Sequence, residues 1–286
     1  MCASAYLGYM EFWGSVIEFF DAKMTTPTNY GWFHLLSIAL VIAATVFLCT
    51  KFKDSSDRSV RKLLFYVWVV MVLLEVYKQL NYALSYENGV ISWDYAWYAF
   101  PYQFCSTPLF ALPVIVFMKD SHVRDAFIAF MSFFSLFAGV AVFFYPNDVF
   151  ISTVGVNIQT MFHHGMQIVL GIFLTVHNRR KLSLEYFARS VAVFGMFVSI
   201  AIIMNFAVYH ALVGAGMDDT FNMFYISPYF DCTLPVLSGV YSDVSYPVFI
   251  VIYILGFAFV AFLMYLIQSG IAQLAKKGIG LHAHQH

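Results

Sequence analysis

Cys105 and the adjacent imidazoles of His163 and His164 are the residues whose types best suit chemistry. A thiol becomes a nucleophile when a base takes its proton, and Cys with His is the smallest such pair. Cys105 lies in Phe100-Pro101-Tyr102-Gln103-Phe104-Cys105-Ser106-Thr107-Pro108. Pro101 suits the first turn of a helix, which predicts Cys105 about one turn in, beside unpaired N–H groups that favour an anionic sulfur. Pro108 cannot donate to the carbonyl of Phe104, so a kink beside the thiol is expected. A lone Cys in a membrane helix is commonly an apolar filler; an imidazole at the same depth changes its meaning. Gln159, His163 and Gln167 fall at i, i+4 and i+8, a polar stripe down one helix face with His164 at its flank. Neighbouring residues differ by about 100° around a helix, so the spacing leaves open whether His163 or His164 meets the thiol. Glu75 and Lys78 are spaced to pair, and His34, Asn81, Gln103, Asn205, His210 and Asn222 complete the polar candidates.

These residues must be held by a membrane-embedded scaffold. Of 286 residues, 61% are hydrophobic and 11% charged, against roughly 45–50% and about 25% in soluble domains. With a mean hydropathy of +0.76, soluble enzymes, nucleic-acid binders and disordered chains are excluded. A helix crosses the hydrocarbon core with ~20 apolar residues. Seven such windows occur, at about 31–50, 63–82, 98–118, 125–145, 157–177, 190–212 and 246–268, and period-2 alternation is absent. The expected fold is all-α, a polytopic membrane bundle of seven transmembrane helices.

Lys and Arg collect in cytoplasmic loops, and thirteen of the fifteen lie after windows 1, 3 and 5 or in the C-terminal tail. The loops 83–97, 146–156 and 213–245 contain none. This alternation predicts an N-terminus outside and a C-terminus in the cytoplasm. Early residues of helices 1, 3 and 5 then share the outer half of the bilayer with late residues of helices 2 and 6, which brings the polar candidates from five helices to one depth. Charges and polar groups in hydrocarbon are costly and therefore functional candidates, although membrane bundles also use polar networks as glue.

The expected organisation is an outer-surface amphipathic segment at 1–30, a seven-helix domain at 31–268 and a cytoplasmic tail at 269–286. No basic region followed by an apolar core and a small-residue cleavage site precedes Tyr30, so no cleavable signal peptide is expected. The absence of an Asn-x-Ser/Thr site fits an integral protein of a bacterial cytoplasmic membrane. The four Cys, at 2, 49, 105 and 232, lack the spacing of a zinc site or a disulfide framework. His282, His284 and His286 suit a solvated terminus better than a metal patch. No cofactor or metal is expected.

Three segments together carry a resemblance: Pro101-Tyr102-Gln103-Phe104-Cys105, the His163-His164 pair, and Asn222-Met223-Phe224-Tyr225-Ile226-Ser227-Pro228. In order and spacing, over roughly helices 2 to 7, the chain resembles the YwaF family of integral membrane proteins, which includes transmembrane protein 164. The resemblance implies a seven-span acyltransferase acting on phospholipids, distantly akin to membrane hydrolases of fatty-acid esters. It implies Cys105 as nucleophile, a His partner on helix 5 and an acyl-thioester intermediate. The chain departs from the pattern in having Pro-Tyr-Gln where a triplet such as Pro-Leu-His is usual. Gln103 cannot act as a base, so the departure places the burden on His163 and His164.

The function expected is acyl transfer from a phospholipid donor to a lysophospholipid acceptor, with Cys105 as nucleophile and His164 as base. Asn81, Gln103, Asn205 or Asn222 would donate to the tetrahedral oxyanion, a role whose loss typically slows a reaction by ~10²–10³. Lys78 is placed either to meet a lipid phosphate or to form a structural pair with Glu75. The aromatic cluster of Trp93, Tyr95, Trp97, Tyr98 and Tyr102 suits an interfacial belt. A membrane lipid hydrolase, a ligand-binding protein, and a haem or quinone protein using His34, His163, His164 and His210 remain as alternatives. A retinal protein is excluded because 246–268 lacks the Schiff-base Lys, and a transporter is disfavoured by the apolar inner half.

Overall fold

The structure, a computed structural model, describes residues 2–146 and 149–283. Its helices are α1 (Cys2–Phe20), α2 (Trp32–Lys51), α3 (Asp57–Asn81), α4 (Pro108–Phe117), α5 (His122–Phe144), α6 (Val154–His177), α7 (Leu184–Gly214), α8 (Leu237–Asp243) and α9 (Tyr246–Ala283). Five of these are long and apolar enough to cross a membrane: α2, α3, α5, α7 and Tyr246–Leu274 of α9.

Two of the seven predicted windows behave differently. In 98–118 only α4 is α-helical, and its ten residues span about 15 Å. Pro108, not Pro101, occupies the first turn, and Pro113 lies inside the helix. Cys105 therefore sits not one turn into a helix but in a single 3₁₀ turn, Phe104–Ser106, ahead of it. The α6 window has the length, 24 residues, but Asn157, Gln159, His163, His164 and Gln167 lower its hydropathy. Packing against α2, α3 and α5 buries all five, so this polar-striped long helix is an inner one.

The short α4 is closed off at its C-terminal end by two arginines. Arg61 Nη1 donates to the carbonyls of Val116 (2.9 Å) and Met118, and Arg124 Nε to that of Ile115 (2.8 Å). Asp57 and Asp120 neutralise both guanidinium groups, so carbonyls with no partner inside the helix are paired. In the middle of α5, residues Met131–Ser135 form a π turn. The Ser132 carbonyl accepts from Gln268 Nε2 of α9 at 2.8 Å, and Gly171 of α6 approaches so closely that a Cβ there would lie 2.7 Å from Leu136 Cβ.

At the opposite end a hairpin that the helical windows do not foresee joins α3 to the Cys105 segment. Strands β1 (Leu84–Glu87) and β2 (Val90–Trp93) pair antiparallel, Leu84 opposite Trp93 and Glu87 opposite Val90. Asn88 and Gly89 make the turn, both with positive φ (52° and 79°), as a two-residue primed turn demands. The hairpin packs on α1, where Gly14 leaves room for the ring of Tyr86, while Phe12, Trp13, Phe19 and Phe20 of α1 stay exposed. The segment after α1 is stitched to the start of α6 by Met24 N to Ser152 O (2.7 Å) and Val154 N to Ala22 O (2.9 Å). The segment predicted as a tail from 269 continues α9 to Ala283. The terminal cluster of His282, His284 and His286 falls outside the residues whose side chains are described.

Candidate functional site

The hairpin end of the bundle carries a cavity of about 210 Å³. Glu75 and Lys78 reach it from the end of α3, Cys105 and Ser106 from the 3₁₀ turn, and Gln159, Thr160, His163 and His164 from the first half of α6. Segments running in opposite directions thus bring these polar residues to one cavity. Tyr82, Tyr98 and Tyr225 also line it; none of these, nor Ser106 or Thr160, is among the site residues predicted from sequence, because hydroxyl-bearing residues stand out little in an apolar chain.

The two imidazoles are held differently. A carbonyl only accepts, so His163 donates from Nε2 to the Cys105 carbonyl (3.0 Å), and its Nδ1 is left a buried acceptor without a partner among the described residues. His164 donates from Nδ1 to the carbonyl of Thr160 (2.8 Å), which leaves Nε2 as the lone-pair nitrogen of a cavity-lining ring. Gln167 Nε2 also donates to the Cys105 carbonyl, at 2.6 Å. Two α6 side chains therefore fix the backbone of Cys105 where no helix does so.

Glu75 is the hub of the cavity wall. Its Oε1 accepts from Lys78 Nζ (2.7 Å) and Gln79 Nε2 (2.7 Å), and its Oε2 from Gln159 Nε2 (2.9 Å). Gln79 continues the network by donating to the Ala99 carbonyl and accepting from the Tyr95 hydroxyl. Tyr95, expected from the sequence in an interfacial belt, is thus tied into this network.

The remaining candidates lie elsewhere. Asn81 faces a neighbouring cleft, where its Nδ2 donates to Asp21 (3.4 Å). Asn205 brackets Met223 with both ends of its amide (2.7 and 3.0 Å), and Gln103 bonds the Asn222 carbonyl and the Phe224 N–H (3.0 and 2.8 Å). Asn222 accepts from Ser227 N and donates to the Asp231 carbonyl. Gln103, Asn205 and Asn222, expected at an oxyanion, are thus engaged in holding loop backbone, whose buried N–H and C=O groups must be paired. His210 is exposed and bonds the Tyr229 hydroxyl (3.0 Å). His34 is buried among Phe143 and Phe150, with Nδ1 accepting from Tyr30 N (3.0 Å). Cys49, Cys105 and Cys232 are free thiols. Among the described residues no group of three or more His, Cys, Asp or Glu is placed to hold a metal.

The fold and site define a multi-helix protein of membrane-spanning composition with a thiol and two imidazoles on one polar cavity. A family model described as the TMEM164 family matches residues 25–268, and the chain belongs to that family. The match takes in every residue of the cavity and leaves out α1. No curated protein and no solved structure matches the chain.

Proposed function

We propose that the protein is an integral membrane acyltransferase that moves a fatty acyl group from a phospholipid to a lysophospholipid through a thioester on Cys105. The observation that carries this reading is the shared cavity of Cys105 and His164, with the lone-pair nitrogen of His164 set by the bond to Thr160. His164 Nε2 takes the thiol proton as sulfur attacks the ester carbonyl of the donor. The C–O bond then breaks, and the proton passes to the departing lysophospholipid oxygen. In the second half the acceptor's hydroxyl attacks the thioester, His164 takes its proton and returns it to the sulfur. His163 and Gln167 hold the Cys105 carbonyl while this happens. Lys78, the cation on the cavity wall, suits a lipid phosphate.

We further propose seven crossings, by α2, α3, the 98–118 segment, α5, α6, α7 and α9, with the N-terminus outside, the C-terminus cytoplasmic and α1 lying on the outer interface. The segregation of thirteen of fifteen cations supports this arrangement, and the exposed aromatic residues of α1 suit an interface.

Purified protein incubated with labelled phospholipid and lysophospholipid tests the reaction. Cys105→Ala is expected to abolish transfer together with a hydroxylamine-sensitive acyl adduct, and His164→Ala to slow transfer by about 10²–10⁴. Undiminished transfer by Cys105→Ala refutes the nucleophile.

A further inference from the structure

Attack of Cys105 on an ester places negative charge on the carbonyl oxygen, and most donors near the cavity are already committed. Asn81, Gln103, Asn205 and Asn222 each donate to another protein group. On the cavity wall Gln159 donates to Glu75, Thr160 to Gln159, and both imidazoles to backbone carbonyls. In α/β-hydrolases the backbone N–H after the nucleophile meets such an oxyanion. Here that N–H belongs to Ser106 and is bonded to the Gln103 carbonyl at 2.8 Å.

The Ser106 hydroxyl is placed differently. Ser and Thr hydroxyls readily bond back to a carbonyl one turn earlier, as Thr107 does to Phe104 (2.7 Å) and Thr175 to Gly171 (2.9 Å). Among the described residues the Ser106 hydroxyl bonds no carbonyl, and its contact is with the Cys105 thiol. Ser106 is only 5% exposed, yet it lines the cavity beside Cys105. Burying a hydroxyl without a carbonyl acceptor is costly, and an acceptor in the cavity would offset that cost.

The turn also fixes nucleophile and hydroxyl together. His163 and Gln167 hold the Cys105 carbonyl at 3.0 and 2.6 Å, and Ser106 is the next residue of the same single 3₁₀ turn. An oxygen on the attacked carbon stands next to the sulfur, within reach of a hydroxyl already at the thiol. Other donors, such as Lys78, Tyr82 and Tyr98, come to the cavity from outside this turn.

We propose that Ser106 is a catalytic residue whose hydroxyl donates to the oxyanion formed when Cys105 attacks an acyl carbonyl. As the bond from sulfur to carbon forms, the carbonyl π pair moves onto oxygen, and Ser106 hydrogen-bonds that oxygen without giving up its proton. When the pair returns, the C–O bond to the leaving group breaks and His164 protonates the departing oxygen. The assignment rests on the acyl-transfer reading of Cys105.

The test separates attack on a carbonyl from attack on a sulfur in the detergent-solubilised full chain. Acylation of Cys105 by p-nitrophenyl decanoate passes through an oxyanion; labelling by methyl methanethiosulfonate, in which the thiolate displaces methanesulfinate, does not. Both adducts are followed on the Cys105 peptide by mass spectrometry. Ser106→Ala is expected to slow acylation by about 10²–10³ and labelling by less than about threefold. Ser106→Thr keeps a hydroxyl and should stay within about tenfold of wild type in both reactions. Equal losses in the two reactions of Ser106→Ala overturn the proposal, since the serine then supports the thiol or the fold. Acylation of Ser106→Ala within about threefold of wild type, with acyl transfer to lysophospholipid intact, removes the donor and keeps the acyl-transfer reading. A wild type that is acylated but passes nothing to lysophospholipid, with a Ser106→Ala defect confined to acylation, keeps the donor and removes that reading. A wild type that is labelled but never acylated removes both.

Discussion

Replacing Glu75 by Gln tests whether the cavity wall depends on charge or only on shape. The substitution is nearly isosteric, but it leaves one acceptor oxygen where three donors converge, Lys78 Nζ, Gln79 Nε2 and Gln159 Nε2 at 2.7–2.9 Å. At least one donor loses its partner, and the Lys78 ammonium loses its countercharge. Breaking one side of a buried ion pair costs about 3–5 kcal/mol. The Lys78 side chain keeps 17% of its exposure, which lets water offset part of that, so about 2–4 kcal/mol is expected. At about 3 °C per kcal/mol for a chain of this size, the unfolding midpoint should fall by about 6–12 °C. Tryptophan fluorescence of the detergent-solubilised protein during heating is a suitable readout. Adding Lys78→Met removes the stranded charge, so the double variant should recover about half of the loss, about 1–2 kcal/mol, and its total loss should fall short of the sum of the two single losses. A midpoint for Glu75→Gln within about 2 °C of wild type, or a double-variant loss equal to the sum of the single losses, refutes the ion pair as the organiser of this wall.

Other expectations concern close packing and the end of α4. A Cβ at Gly139 would stand 2.6 Å from the His164 carbonyl oxygen and 2.9 Å from Gln167 Cβ; Gly139→Ala should therefore destabilise by about 1–3 kcal/mol and reduce transfer by moving α6 away from Cys105. Gly195→Ala, with nothing within 4 Å of its Cβ, should be neutral or stabilise by about 0.5–1 kcal/mol in the same melts. Arg124→Leu leaves the Ile115 carbonyl only the longer bond from Arg61 Nη1 (3.3 Å) and leaves Asp57 and Asp120 with Arg61 alone; hydrogen exchange over 114–120 should accelerate, and Arg124→Lys should not restore it, because an ammonium lacks the fork that reaches two carboxylates and a carbonyl.

Much of the scaffold was legible in the amino-acid order. Long apolar windows located five spanning-type helices and the long α6, and the i, i+4, i+8 stripe of Gln159, His163 and Gln167 marked the face of α6 that is now seen turned inward. The i, i+3 spacing of Glu75 and Lys78 anticipated their ion pair. The hairpin was legible too, in Asn88-Gly89 between two short alternating segments, yet a search for 20-residue windows passes over strands of four. The start of α4 was misplaced because either Pro101 or Pro108 can begin a helix, and tertiary contacts of Tyr102, Gln103, Phe104 and Cys105 go with the later one.

Hydrophobicity and charge act on segments locally, so the sequence was sufficient to show which stretches avoid water and how the cations segregate along the chain. The tertiary structure decided how those residues are used. Asn205, Gln103 and Asn222 were indistinguishable from oxyanion donors until the loop they bind was in place. His163 and His164 were equivalent until Thr160 and Cys105 each offered one of them a carbonyl. Which nitrogen of a ring keeps its lone pair, and which amide has a donor to spare, depends on helix rotation and on backbone outside the helices. Neither is encoded by spacing along a single helix.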